Sequence, residues 1–401
     1  MLGDLIADMV APLLRMLGVR FIHLQGNRIG ECGASLGYYA QSTQLGWARP
    51  CRGGFVAFPT RQVFNPCYLN YWRRYTRLIT NPFLYSIAFR LCQKAGFRYP
   101  LDVVTLPDGC TMFRDNALTA TQMQWAAERR SPLLALDPDH EKRGREALST
   151  RGMDPNDWFV ALHVRESGYL SEPPNSHREN RNADVFTYLP AVRVITDRGG
   201  WVVRVGDPSM KPLPEMERVI DYVHTPLHSD WMDVLLGASC RLFLGTSSGL
   251  FVVPWSFGRP VALANWESLR IRPWGNRDLF IPKLWRLEAE DRFLTVPEML
   301  QPPYAGAERL PPRESRERRG VTLVDNTPEE IVELVEEWLD GDKASPADIE
   351  KGEVEKAFDN IVSPYFPYGS PARIGSRFLD RHRGLVMPGD EQRPRQASPI
   401  D

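Results

Sequence analysis

The feature that most restricts how this chain can fold is an alternation in its second half. Short, continuous apolar runs alternate there with helical patterns. FVALHV (159–164), WVVRV (201–205), RLFLG (241–245) and PVALAN (260–265) are predominantly apolar and too short for helices. Such runs read as strands buried on both faces of a parallel sheet. Between them, ADVFTYLPAVRVITDRGG, SDWMDVLLGAS and SSGLFVVPWSFG read as helices. Asp184 starts the first, Gly199 ends it and Pro190 is placed to kink it. Ser229 caps the second, with Asp230 and Asp233 in its first turn, where the helix dipole favours acids. YVHT (222–225) reads as a further short strand. This alternation predicts a doubly wound parallel α/β sheet.

The first half is less regular. VRFIHLQ (19–25) reads as a strand, GNRIGECG as a glycine-containing loop and ASLGYYAQS as a helix. GGFVAFP reads as a second strand. NPCYLNYWRRYTRLI reads as one helix capped by Asn65 with Pro66 at its first position. DPDHEKRGREALSTRG is a helix capped by Asp137 and stopped by Gly152. TPEEIVELVEEWLDG is another, capped by Thr327. The charged run ERLPPRESRERRG reads as a solvated loop. Beyond Asp342 the chain is polar and Pro-rich: ARIGSRFLDRH is expected to pack back on the body, and the end past Met387 to be disordered. At 401 residues the chain exceeds one ordinary domain. The expected division is an α/β domain over 1–152, a second over 153–341, and a tail over 342–401.

A formal net charge of −1 argues against a general nucleic-acid binder. Six scattered cysteines without a CxxC pair give no zinc or redox motif, and read as free thiols of a cytoplasmic protein. Leu5, Met9, Leu13, Leu14 and Leu17 share one face of an N-terminal helix that Asp4, Asp8, Pro12 and Arg15 interrupt. No basic region precedes it and no run of about 20 apolar residues exists, so neither a secretory signal nor a membrane span is expected. It packs on the domain or lies peripherally on the inner face of a membrane.

Ligands of doubly wound sheets sit beyond the carboxyl ends of the strands. At the end of FVALHVRE stand His163 and Arg165. Arg165 suits a diphosphate bidentately, or else pairs with Glu166 or Asp207. WVVRVGD offers Arg204 and Asp207. An unpaired Arg204 inside an apolar strand would be costly, so it reaches an acid or the site. The loop Gly245-Thr246-Ser247-Ser248-Gly249 leads from strand to helix and offers hydroxyls and backbone N–H groups to an anion; its other reading is an ordinary helix cap. Asn265 and Trp266 contact a base or sugar, or pack. Together these groups suit stabilisation of a departing nucleoside diphosphate without a metal. Asp137-Pro138-Asp139 resembles a metal-binding Asp-x-Asp motif but matches a helix cap better. No metal and no other cofactor is therefore expected. A base for an acceptor hydroxyl is sought at Glu31, with Glu166, Glu172, Glu179 and Asp184 as rivals.

FVALHVRESGY, RNADVFTYLPAV, GGWVVRVGDPSMKPLP, HSDWMDVLLGASCRLFLGTSSGL and GRPVALANW resemble a family of bacterial glycosyltransferases from surface-polysaccharide contexts. More distantly, HVR and GTSSG resemble two motifs of the superfamily containing the α1,6- and protein O-fucosyltransferases. The resemblance implies two Rossmann-like doubly wound domains facing across a cleft, the GT-B type. It implies a hexosyl- or fucosyl-type transferase with a nucleotide sugar as donor and a glycan or lipid-linked acceptor. The diphosphate would be held by His163, Arg165, Thr246, Ser247 and Ser248. A pyruvyl- or other group transferase on the same fold, and an inactive binding module, are the competing readings.

Overall fold

The computed structural model describes residues 2–25, 27–48, 55–57, 63–94, 97–98, 103–167, 176–341 and 350–387. The expected disorder past Met387 and the rival base Glu172 lie outside the described residues.

The chain opens with α1 (Leu2–Met16), β1 (Phe21–His23), α2 (Ile29–Gln44), β2 (Phe55–Ala57), α3 (Pro66–Tyr71), β3 (Arg77–Ile79) and α4 (Pro82–Cys92). The three strands pair in parallel in the order β1-β2-β3. An antiparallel hairpin, β4 (Val103–Thr105) with β5 (Thr111–Phe113), leads into α5 (Arg114–Ala127) and α6 (Pro138–Ser149). Two sequence expectations change here. The single helix read from Asn65 stops at Tyr71, passes through a 3-10 turn over Trp72–Arg74 and becomes β3. The β-branched Thr76 and Ile79 in TRLI favour that strand once β2 lies alongside. Of the glycine loop read from GNRIGECG, residues 29–33 are instead the first turns of α2, which begins at Ile29.

The second half builds the larger sheet. Its elements are β6 (Phe159–His163), α7 (Leu189–Asp197), β7 (Trp201–Arg204), β8 (Val219–Ile220), α8 (Asp230–Ser239), β9 (Leu242–Gly245), α9 (Val252–Ser256), β10 (Val261–Trp266) and β11 (Leu279–Pro282). A small antiparallel sheet follows, from β12 (Leu284–Leu287), β13 (Arg292–Phe293) and β14 (Val321–Val324). With it come α10 (Val296–Leu300), α11 (Pro312–Arg319) and α12 (Pro328–Gly341). The chain then forms α13 (Glu353–Val362), returns to the large sheet as β15 (Arg373–Ile374), and ends in α14 (Ser376–Arg381) and α15 (Arg383–Val386). The large sheet is parallel, in the order β15-β11-β10-β9-β6-β7-β8. From β6 the chain winds to one side through β7 and β8, then crosses to β9 and winds the other way. The crevice at the carboxyl ends of β6 and β9 is therefore the topological switch point.

Three local expectations in this half are corrected. Residues 222–224 form a 3-10 turn, and the strand is Val219–Ile220. Pro190 divides the expected helix: a 3-10 turn capped by Asp184 precedes α7, which takes Pro190 into its first turn, where no N–H is needed. The charged run is the helix α11. Arg313–Glu317 and Glu314–Arg318 pair one turn apart, Pro312 opens it and Gly320 closes it in the left-handed conformation.

Most buried apolar side chains form one cluster spanning α2, α5 and the large sheet. A second, smaller cluster under α1 and α4 includes Ala7, Ala11, Phe21, Leu91 and Phe97. The two halves touch through α2 against α9 and through α3 and α6 against α8. Among the described residues no helix is long and apolar enough to cross a membrane.

Candidate active site

A cleft of about 450 Å³ opens at the switch point. Its lining unites the ends of β6, β7 and β9 with the first turn of α2. Of the residues singled out from sequence, it brings together Glu31, His163, Arg165, Asp207, Ser247, Ser248, Gly249 and Trp266.

β6 and β9 are tied at their ends. Thr246 N–H donates to the His163 carbonyl at 3.1 Å, and Arg165 N–H donates to Thr246 Oγ1 at 3.0 Å. Thr246 is fully buried, so it holds the Arg165 backbone in place and does not reach a ligand. Gly245 is likewise structural: a Cβ there would lie 2.2 Å from the His163 carbonyl oxygen. Arg165 Nη1 donates to the Arg178 carbonyl at 2.9 Å and to Asn182 Oδ1, which orients the guanidinium. Arg165 lines the cleft, while Glu166 turns away to another partner.

That partner is Arg204, which is a correction. Arg204 has no exposed surface. It pairs with Glu166 at 3.1 Å and Asp221 at 3.5 Å, and donates to the Lys211 carbonyl. A charge in an apolar strand is tolerable only with such partners, and they keep it out of the cleft. The same pairing removes Glu166 as a base. Asn265 is corrected too. It is fully buried, exchanges bonds of 2.6 and 2.7 Å with Asn326 and donates to Tyr188 at 2.9 Å. Asp184 is a helix cap. Trp266 gives its N–H to the Ile271 carbonyl at 2.7 Å, so it meets the cleft with an apolar ring alone.

His163 Nδ1 lies 3.1 Å from the Val205 carbonyl, which can only accept, so Nδ1 carries the proton. Burial first, and the nearby Arg204 and Arg165 charges after it, bring its pKa down to about 4 against the opposing Val205 bond. The ring is neutral at pH 7, and its Nε2 is an acceptor. It suits a ligand hydroxyl better than a phosphate oxygen.

The serine loop differs from its sequence reading in one respect. The helix after it is two short pieces, a 3-10 turn over Gly249–Phe251 and then α9, so its dipole is weak. Ser248 Oγ accepts from Leu250 N–H at 3.3 Å, and its own hydroxyl hydrogen can be offered to a ligand. The long helix at the cleft is α2. Arg28 provides no side-chain cap for it, and Asn27, Ile29 and Gly30 line the cleft.

Glu31 sits in that first turn, 3.0 Å from Arg114. Arg114 is buried, bonds Ser35 at 2.9 Å and pairs with Asp115 at 2.9 Å. Burial works against its charge, but Asp115 and Glu31 outweigh this and raise its pKa. Sequence reasoning missed Arg114. An arginine opening the helix RDNALTATQMQWAA was its only signal. It also missed Arg178 and Arg181, which line the cleft from the 3-10 turn His177–Arg181. In sequence HRENR looks like ordinary surface. Arg181 pairs with Glu267 at 3.0 Å.

Asp137 caps α6, accepting from Asp139 N–H at 2.9 Å and His140 N–H at 3.3 Å. Among the described residues no cluster of three or more His, Cys, Asp or Glu side chains is placed to hold a metal ion.

The architecture is that of the GT-B type: α/β, with a doubly wound parallel sheet facing a second α/β unit across a cleft. The structure of a family 9 glycosyl transferase from Veillonella parvula carries this assignment, with a TM-score of 0.50 over 80% of this chain and 97% of that one, at 10% identity. Escherichia coli ADP-heptose lipopolysaccharide heptosyltransferase II covers 81% of this chain and 100% of its own at 11% identity and a TM-score of 0.44. The E. coli heptosyltransferase WaaC with ADP covers 66% and 91%, at 11% identity and a TM-score of 0.32. No family model matches the chain, and no curated protein sequence does.

Proposed function

We propose that this protein is a glycosyltransferase that moves a sugar from a nucleotide-sugar donor to a glycan or lipid-linked acceptor in surface-polysaccharide synthesis, without a metal. The observation that carries this reading is the convergence on one cleft of Arg165, Ser247 and Ser248 from the large sheet and Glu31 from α2. The activity named for the Veillonella structure of like fold supports it.

In this reading the donor diphosphate lies between Arg165 and the Ser247–Ser248 hydroxyls. Neutral His163 accepts from a ribose or sugar hydroxyl. The acceptor oxygen attacks the anomeric carbon while the bond from that carbon to the β-phosphate oxygen breaks. Glu31 takes the acceptor proton, and the nucleoside diphosphate leaves with the electron pair. Charge that grows on the phosphate meets a guanidinium and hydroxyls already in place. Arg114 holds the Glu31 carboxylate at the cleft wall.

The test combines Arg165→Lys and Glu31→Gln, each measured for melting temperature, nucleotide affinity and single-turnover rate with and without EDTA. Lysine keeps the charge but loses the planar fork. Loss of a donor that acts on developing charge costs about 2.7–4 kcal/mol, roughly 100- to 1,000-fold in turnover. Glu31→Gln is expected to lose turnover and keep nucleotide affinity. A stable Arg165→Lys protein with unchanged turnover and affinity sinks the diphosphate assignment. Activity abolished by EDTA and restored by manganese sinks metal independence.

A further inference from the structure

The lobe built on α1 and α4 carries a surface that the donor cleft does not use. Leu5, Met9, Leu13, Met16 and Leu17 follow each other at helical spacing on one face of α1 and its last turn. They are 59%, 73%, 53%, 77% and 52% exposed, while Ala7 and Ala11 on the opposite face are buried. α4 packs against α1 and exposes Phe83, Leu84 and Phe89 as well. A contiguous apolar face of this kind marks a place that something covers.

Charge indicates what covers it. Residues 1–101 hold twelve Lys and Arg against three Asp and Glu, a formal +9 in a chain whose total is −1. From Cys32 to Leu101 there are nine basic residues and no acidic one. Several border the helix pair: Arg15 lies over the Phe97 ring at 5.2 Å, Arg20 follows α1, and Arg98 bridges to Phe21. We infer that this lobe docks on an anionic lipid bilayer, with α1 lying in the interface plane and its apolar stripe among the acyl chains. A 15-residue helix is too short to span, but it suffices for an interfacial position. A second copy docking through the same lobe would bring +9 against +9, and a nucleic acid has no use for a Leu/Met stripe.

The experiment sediments the full chain with vesicles of phosphatidylglycerol and phosphatidylcholine, and with vesicles of phosphatidylcholine alone. Binding is expected to the first and not the second, weakening with salt. Met9→Glu with Leu13→Glu replaces side chains that are more than half exposed, so the fold stands and vesicle binding is lost. Arg15→Ser with Arg20→Ser leaves the apolar stripe intact and lowers binding roughly five-fold per charge. Wild-type protein left in the supernatant with anionic vesicles at low salt overturns the inference. So does unchanged binding by both double variants. Dimers that the Met9/Leu13 variant dissociates, or retention on single-stranded nucleic acid, in either case without vesicle binding, also overturn it. None of these readouts depends on the donor or on turnover, so the inference fails or stands apart from the glycosyltransferase reading.

Discussion

Arg165 and Arg204 come from the same kind of strand end and have opposite uses. Both follow a valine at the end of an apolar run, and both have carboxylates within a few positions. Arg204 lies inside β7, surrounded by Glu166, Asp221 and the Lys211 carbonyl. Arg165 lies two residues past β6, where the strand has ended and its side chain enters the cleft. Between them His163 is buried, and that burial, with the two positive charges adding to it, brings its pKa from 6.5 to about 4. A pKa depressed on folding means that the native state prefers the neutral ring. The stability linked to it is fully present above about pH 6.5 and is lost as pH falls towards 4. His163→Gln is therefore expected to show a shallower loss of melting temperature than the parent protein across pH 6.5 to 4. Parallel slopes for the two proteins would remove His163 as the cause.

At the scale of elements, α2 decides how the halves meet. Gly30, Gly33 and Gly37 fall on one face of it, and each faces the other half or what packs on it. An added Cβ would lie 2.5 Å from Gly249 Cα at Gly30, 2.4 Å from Val252 and the Tyr68 hydroxyl at Gly33, and 2.5 Å from Trp255 at Gly37. The sequence reading put Gly30 and Gly33 in a loop and Gly37 in the helix after it, because glycine near a strand end usually marks a loop. Only the surface opposite shows them to be a packing stripe. The sign of a substitution tests this. Gly→Ala within a free helix stabilises by about 0.5–1 kcal/mol. Overpacking against an unyielding backbone costs about 1–3 kcal/mol. Gly30→Ala is therefore expected to lower both the melting temperature and nucleotide affinity, since it pushes α2 off the serine loop. A raised melting temperature would show that the two surfaces separate freely.

Across the whole molecule, the C-terminal segment returns to both halves. β15 extends the large sheet beside β11. Buried Arg272 pairs with Asp359 at 2.9 Å and faces the rings of Phe280, Phe358 and Phe366. From there the chain reaches the first half: Tyr368 hydroxyl bonds Asp108, and Asn116 donates to the Tyr365 carbonyl at 2.9 Å and the Arg270 carbonyl at 3.1 Å. The packing back expected of the tail is thus a strap that joins the large sheet to the first half. Asn116→Ala leaves two part-buried carbonyls without that donor, a loss of about 1–3 kcal/mol. Urea unfolding followed by tryptophan fluorescence is expected to show a lower midpoint, and an unchanged one would mean that the strap adds nothing to stability.

What the sequence determined by itself is local. Continuous apolar runs specify buried parallel strands, caps and prolines specify where helices begin, and the polar residue after a strand specifies the end where a ligand sits. From these the large sheet, its alternation and the pair Arg165 and Ser247–Ser248 were legible. Tertiary structure decided whatever depends on partners distant in the chain. It set Arg204 among Glu166 and Asp221, and it closed Asn265 against Asn326. It turned a glycine loop into a packing stripe and brought Arg114 from an unremarked helix start to Glu31. The physical reason is the same in each case: a strand's period is written in neighbouring residues, but a buried polar group's role depends on which distant group satisfies it.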